Sequence, residues 1–327
     1  MIWVGFIGAK GYFGEALSKL VAGHPEAQVS TVMDLQELYN GGAYMCGSNE
    51  AKPGYWGMVN AIEKSDIIFN GLSGSIAEDV YSKALSCGKR IIDISDEHYI
   101  GDCLEGRVGS AHPGSVYGLS SLYKDKMKDA SIAANPSSYC TGSILGLAPL
   151  AANNLVDMDS AYIESKSGIA SLRRNDRLAE LGITNNGGIK TYKVECMEYA
   201  EEVNEQMLTL FGKGTLASYE SYIIPGIKGI TTTIKVNPNS GMCGSDILDT
   251  YRDFYKTNSF VEVCSSGIMP KMRNEFNKCF CKIGASVDAD SGKITVTTVL
   301  DDAVRGVASQ AIQTMNLMCG IDGKIGL

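Results

Sequence analysis

Histidine is the scarcest of the usual catalytic residues in this 327-residue chain: only three are present, His24, His98 and His112, all in the first half. Chemistry built from later residues therefore has no imidazole of its own, and a histidine-based metal centre there is excluded. No apolar run approaches the roughly 20 residues that cross a bilayer, which argues against a membrane-spanning protein. Positive charge is also short, with 29 Lys and Arg against 37 Asp and Glu and a net charge of -8. That balance argues against a general nucleic-acid or anionic-membrane surface, while leaving room for a local basic pocket. Cysteine is not scarce. Ten are spread along the chain and its start carries no secretory signal, a pattern that suits a reducing compartment and predicts a cytoplasmic protein. Cys279-x-Cys281 is too closely spaced for a usual zinc pair and reads as neighbours on opposite faces of a strand; no metal site is expected.

What the chain does have is a telling first segment. The apolar run Ile2-Trp3-Val4-Gly5-Phe6-Ile7 enters Gly8, glycines recur at 11 and 14, and an amphipathic helix pattern follows at Ala16, Leu17 and Leu20. A strand, a tight turn and a helix N-terminus suit a pyrophosphate, and a second strand over 27–34 follows one helix later, as a dinucleotide fold requires. Gly8, Lys10, Gly11, Tyr12, Phe13 and Gly14 are the expected cofactor contacts, with Lys10 placed either to meet an NADP 2′-phosphate or to project into water. A buried strand over 65–72 ends in Leu72-Ser73-Gly74-Ser75, so Ser73 and Gly74 close the other side of the cofactor. A helix over 75–86 and a strand over 89–96 continue the alternation, which predicts a parallel sheet covered on both faces.

Asn135-Pro136 forms a turn, with Ser137 or Ser138 capping a helix beyond it. From about residue 160 the pattern changes to period-2 strands, at 160–165, 229–236, 260–263, 279–287 and 293–299, which suggests a second, mostly antiparallel α+β domain. The expected organisation is a Rossmann-type domain over 1–147 rejoined by 303–327, and a substrate and oligomerisation domain over 148–302. Apolar alternation in that sheet predicts a homodimer or homotetramer. Glu195, Glu198, Glu201, Glu202 and Glu205 read as a solvated helix face, since no histidine accompanies them.

Several segments, in order, resemble N-acetyl-gamma-glutamyl-phosphate reductase of the semialdehyde dehydrogenase group: Gly8 to Gly14, Asp93-Ile94-Ser95, Val116-Tyr117-Gly118-Leu119, Asn135-Pro136, Lys166-Ser167-Gly168, Pro225 with Lys228-Gly229-Ile230, and Val304-Arg305-Gly306 through Met318. The resemblance implies reduction of an acyl phosphate by NADPH through a cysteine thioester, assisted by a histidine of the second domain. It also shows where this chain departs. Ser138 stands at the position of the family's cysteine, Cys140 replaces its following proline, Met197 stands at the catalytic histidine and Tyr199 at the second, while Glu202 is kept. The family's glycine-rich loop becomes Ser167-Gly168-Ile169-Ala170-Ser171-Leu172-Arg173-Arg174.

Two residues along a helix turn a side chain by about 200°, so Cys140 takes over from Ser138 only if the helix starts later. A serine hydroxyl is a poor nucleophile without an adjacent base, and methionine is none. The leading expectation is therefore an NADP-dependent reductase, with NAD as the alternative cofactor, reducing a carbonyl or imine of a small anionic substrate without a thioester. Ser138, Tyr139, Tyr199 or Tyr222 supplies the donor, and Cys140 is the rival nucleophile. Lys166, Ser167, Gly168, Arg173, Arg174 and Glu202 are the candidate substrate residues, since guanidinium groups match carboxylate or phosphate. The other two readings are the family's acyl-phosphate reductase and a cofactor-binding subunit without turnover.

Overall fold

A computed structural model describes residues 1–9, 11–34, 53–95, 112, 114–169, 190–193, 197–215, 217–224, 228–239 and 244–327. Lys10, Arg173 and Arg174 lie outside them. The chain divides into two compact units, Met1–Pro136 together with Val307–Leu327, and Ser137–Gly306. The boundary expected at 147/148 thus sits at 136/137, because the helix that follows Ser137 packs throughout its length in the second unit.

In the first unit, strand β1 (Ile2–Ile7) leads through Gly8 into helix α1 (Tyr12–Ala22) and strand β2 (Ala27–Met33). Helix α2 (Pro53–Glu63), strand β3 (Ile67–Asn70), helix α3 (Gly74–Ser86) and strand β4 (Arg90–Asp93) follow. Strand β5 (Ser115–Tyr117), helix α4 (Ser120–Met127) and strand β6 (Ile132–Ala134) complete the sheet, ordered β2-β1-β3-β4-β6-β5 with every pairing parallel. Strands β3 and β6 are buried along their whole length, as continuous apolar runs in a doubly covered parallel sheet should be. Ile7, Met58, Ile62, Ile68, Leu72, Val80, Tyr81 and Ile91 form one core on one side. The chain leaves β1 toward β2 on one side and resumes at β3 on the other. Such a reversal makes a crevice at the carboxyl ends of β1 and β3, the usual ligand position in open α/β sheets.

The returning segment explains one of the scarce histidines. His24 is buried, its Nδ1 accepts the Glu26 N–H at 3.1 Å, and its Nε2 lies 3.0 Å from Asn316 Oδ1. With Nδ1 accepting, Nε2 carries the proton, and Asn316 in turn donates to the Ile325 carbonyl at 2.8 Å. The ring thus fastens the chain's last residues to the first unit. His112 pairs with Glu78 at 2.9 Å; His98 lies outside the described residues.

The second unit opens with helix α5 (Ser138–Ala152) and strand β7 (Val156–Ser167). Strand β8 (Lys190–Lys193), helix α6 (Met197–Phe211), strands β9 (Ser218–Ile223) and β10 (Ile230–Pro238) and helix α7 (Gly244–Tyr255) come next. Strands β11 (Val261–Val263), β12 (Cys281–Val287) and β13 (Ile294–Leu300) complete a seven-stranded sheet ordered β11-β12-β13-β10-β7-β9-β8. It is more mixed than the period-2 pattern suggests, since β7–β9 and β11–β12 pair in parallel. Cys279 precedes β12, so only Cys281 belongs to the strand. A π-helical turn (Val304–Ala308) then passes into helix α8 (Ser309–Met318), which packs on α1, α4 and β4 of the first unit to which it belongs.

Helix α5 is the centre of the second unit and is buried on all sides except at its C-terminus. Glycines let it approach the sheet: a Cβ on Gly146 would lie 2.5 Å from Ile234 Cδ1, and one on Gly142 2.8 Å from Thr298 Oγ1. Pro149 lacks an N–H, so the Leu145 carbonyl loses its helical donor. Tyr255 restores it with a 2.6 Å hydrogen bond, and Tyr251 donates to the neighbouring Gly146 carbonyl.

Candidate active site

The three loop glycines are required for three different reasons. Gly8 turns at φ +70°, and a Cβ there would lie 2.2 Å from Leu72 Cδ2. Gly14 lies in the first turn of α1, where a Cβ would come within 1.6 Å of the Ala9 carbonyl oxygen, so the loop can fold back on the helix only over glycine. Gly11 has φ +138°, open space where a Cβ would be, and no side chain with which to cap α1. The result is a helix N-terminus drawn tight to its strand and left without a side-chain cap. This arrangement fits a dinucleotide pyrophosphate, which backbone N–H groups and the helix dipole would hold.

The facing loop is equally open at its helix start. Ser73 occupies the cap position of α3 without making a capping hydrogen bond, and Gly74 has φ +64° with nothing within 4 Å of its Cβ position. Asn70 sets this loop's shape: its Nδ2 donates to the Leu72 carbonyl at 3.0 Å and its Oδ1 accepts the Leu72 N–H at 3.3 Å. Asn70 Nδ2 also reaches the Tyr81 hydroxyl at 3.3 Å, Tyr81 donates to Asp93 Oδ2, and Asp93 Oδ1 accepts the Ser95 N–H at 2.6 Å. One buried network therefore fixes the ends of β3 and β4 together.

In the second unit Ser137 is the cap of α5, accepting the Cys140 N–H on its Oγ at 3.2 Å. The helix consequently begins at Ser138, and the later start that would bring Cys140 into Ser138's place does not occur. Cys140 is fully buried, and Ser138 is 5% exposed with Gly306 pressed on it: a Cβ on Gly306 would lie 2.5 Å from Ser138 Cβ. Tyr139 and Ser167 share a 2.5 Å hydroxyl contact, and the Tyr139 ring stacks on Tyr199 at 5.0 Å and 9°. Beneath them Tyr219 lies with its hydroxyl 2.8 Å from Ser165 Oγ and 3.1 Å from Ser143 Oγ; burial pushes that phenol well above its ordinary range.

Not every expected residue joins this cluster. Lys166 alternates to the opposite face of β7 from Ser165 and Ser167, where it pairs with Glu164. Tyr222 lies on that same face, its hydroxyl 2.6 Å from Glu220, which two tyrosine hydroxyls hold below the ordinary carboxylate range. The period of two in a strand separates Lys166 and Tyr222 from Tyr139. The glutamates of α6 are not a wholly solvated face either. Glu202 is buried, and Glu205, with Oε2 closed off from water, is pushed up to about 7 by burial, because α6 packs along α5. Among the described residues no cluster of His, Cys, Asp and Glu could hold a metal ion.

Comparison with known proteins adds a family to this geometry. Residues 3–130 match the model described as semialdehyde dehydrogenase, NAD binding domain, and residues 138–302 match semialdehyde dehydrogenase, dimerisation domain. The chain belongs to the semialdehyde dehydrogenase family. Relatives named N-acetyl-gamma-glutamyl-phosphate reductase, from Citrifermentans bemidjiense and Alkaliphilus metalliredigens, are each 30% identical over 100% of this chain and 98% of their own. Aspartate semialdehyde dehydrogenase II from Vibrio cholerae shares the fold, with a TM-score of 0.72 at 12% identity over 98% of this chain and 99% of that one. The aspartate semialdehyde dehydrogenase with NADP from Candida albicans aligns at TM-score 0.66 and 13% identity, covering 98% of each chain.

Within this semialdehyde dehydrogenase fold, sequence reasoning missed a second acidic element. Asp301 and Asp302 follow β13 and are both fully buried. Asp301 Oδ1 accepts the Ala303 and Val304 N–H groups at 3.1 and 2.8 Å and so starts the π-helical turn that carries Gly306 to Ser138. Asp302 Oδ1 accepts the Gly229 N–H at 2.6 Å, and the Gly229 carbonyl accepts the Gly168 N–H at 3.1 Å. Burial, with Asp301 adjacent, pushes the Asp302 carboxyl up to about 6. Asp302 thereby fixes the strand ends that flank Ser167, a role visible only once β7, β10 and β13 are side by side. No helix among the described residues is long and apolar enough to cross a membrane.

Proposed function

We propose that this chain is an NADPH-dependent reductase that delivers hydride directly to a carbonyl or imine of a small anionic, amino-acid-derived substrate, without a thioester. The observation that carries this reading is the state of α5's first turn: the only thiol there, Cys140, is fully buried, while Tyr139, Ser167 and Tyr199 form a hydroxyl and ring cluster. Gly8, Gly11, Gly14, Ser73 and Gly74 would hold the cofactor, whose nicotinamide supplies the hydride when bound. Tyr12 and Phe13 flank that loop, and Lys10 is assigned to the 2′-phosphate, favouring NADP over NAD. Ser167 orients the Tyr139 hydroxyl and Tyr199 keeps its ring in place, so that Tyr139 donates to the oxygen or nitrogen gaining charge. Arg173 and Arg174 are assigned to the substrate's anionic group. The half-buried face of the second sheet, with Tyr162, Glu164, Lys166, Glu220 and Tyr222, is assigned to a homodimer contact, consistent with the dimerisation-domain match.

A second reading, reduction of an acyl phosphate, is favoured by the full-length relatives named for that activity. It requires Ser138 or Cys140 to form a covalent acyl bond. Intact-mass analysis during turnover of candidate acyl phosphates separates the two. The proposal expects no adduct, unchanged activity in Cys140→Ala, and a kcat about 100-fold lower in Tyr139→Phe. An adduct on Ser138 or Cys140, lost with activity in its alanine variant, establishes the second reading instead. Absence of any NAD(P)H oxidation with carbonyl, imine or acyl-phosphate substrates would leave a cofactor-binding subunit without turnover.

A further inference from the structure

We infer that Ser95 and Asn135 form the seat for the cofactor's carboxamide, so that the first unit itself recognises the nicotinamide end. The inference rests on the cofactor reading above. Asp93 of β4 lies opposite Ala134 of β6 in a parallel pair, and the Asn135 N–H donates to the Asp93 carbonyl at 2.8 Å. Ser95 and Asn135 therefore leave the carboxyl ends of adjacent strands, at the edge where open α/β sheets take their ligands. Strand β4 lies two strands from β1, about 10 Å along the sheet at normal strand spacing. A ribose and a pyridine ring separate a dinucleotide's pyrophosphate from its carboxamide, a span of this order.

Both residues are held by their backbones but leave a side-chain atom without a use. The Ser95 N–H is fixed on Asp93 Oδ1 at 2.6 Å, and Asn135 Nδ2 reaches only the Pro136 carbonyl, at 3.5 Å. Ser95 Oγ and Asn135 Oδ1 are buried and have no hydrogen-bond partner among the described residues, in side chains 5% and 0% exposed. A buried polar atom left unpaired is destabilising, and native structures rarely leave one so. The two are complementary to a carboxamide: the serine hydroxyl donates to its carbonyl, and the asparagine carbonyl accepts from its NH2. A carboxylate in the same place would face the Asn135 carbonyl and have no donor from it.

The test is calorimetry of the full chain with NADPH, with adenosine 2′,5′-bisphosphate, which has no nicotinamide, and with the reduced 3-acetylpyridine analogue, which has no NH2. Ser95→Ala and Asn135→Ala should each weaken NADPH binding about tenfold, the scale of one buried hydrogen bond, and leave the bisphosphate within twofold. The unaltered chain should prefer NADPH to the acetylpyridine analogue, and Asn135→Ala should abolish that preference. Unchanged NADPH affinity in both variants, or equal loss for NADPH and the bisphosphate, overturns the assignment. If Asn135→Ala does not fold, equal affinity of the unaltered chain for NADPH and the analogue does so. An unaltered chain that binds neither NADPH nor the bisphosphate would overturn the cofactor reading itself.

Discussion

The two units each present a helix N-terminus at the end of a strand, and the two are finished in opposite ways. Helix α1 starts at Gly11, which has no side chain and open space around it; helix α5 starts at Ser137, whose hydroxyl takes the Cys140 N–H, and its first turn is buried. A helix start without a side-chain cap leaves its dipole and first N–H groups for a ligand; one closed by a serine has already used part of that capacity. The cofactor end therefore keeps a binding surface. The start of α5 is instead a packed hydroxyl cluster, with Cys140 fully buried in it.

The comparison can be broken most sharply at Gly14. In Gly14→Val the new side chain meets the Ala9 carbonyl, so NADPH affinity should fall at least 100-fold by calorimetry while the second unit's unfolding transition stays in place. Retained affinity would mean that the loop does not hold the cofactor. Next in size is Asp302. Its folded pKa of about 6 is raised above the ordinary carboxylate value, so the folded state binds the extra proton and stability is lost as pH rises from about 4 to about 6. Asp302→Asn should remove that slope and gain as much as about 3 kcal/mol at pH 7.5 relative to pH 4, read from urea unfolding at the two pH values. A pH dependence identical to that of the unaltered chain would place the Asp302 titration elsewhere.

Smaller effects test the packed helix. Tyr255→Phe leaves the Leu145 carbonyl without a donor and should cost about 2 kcal/mol in the same unfolding measurement. Ser137→Ala removes a cap worth about 1 kcal/mol and should leave NADPH affinity unchanged. A loss of cofactor affinity in Ser137→Ala would show that the start of α5 is a ligand site after all, and the contrast between the two helices would fail.

Much of the scaffold was legible because its signals are local. The strand-turn-helix of the first 20 residues, the strands near 27–33, 67–70 and 90–93, and the alternation in β10 and β13 follow from apolar periodicity and glycine placement. Helix α4, with the sequence Ser-Ser-Leu-Tyr-Lys-Asp-Lys-Met, has too little apolar surface to announce itself. Helix α2 was missed although Pro53 at its first position is a start signal, and β9 although Ser-Tyr-Glu-Ser-Tyr-Ile alternates. The site was less legible because its parts meet across the sheet. Ser167 beside Tyr139, and Asp302 beneath Gly229, are contacts between residues 28 and 73 positions apart, and no local period encodes them. Placing Lys166 with Ser167 failed for a simpler reason: neighbours in a strand point to opposite faces.

The return of Val307–Leu327 to the first unit has a consequence for synthesis. The second unit is continuous from Ser137 to Gly306, whereas the first unit is interrupted by it and completed only by Val307–Leu327. At roughly 5–20 residues per second, the intervening segment of about 170 residues keeps the sites for α8 on α1, α4 and β4 uncovered for about 10–35 s. The His24 ring therefore receives its Asn316 partner only after the whole second unit has been made.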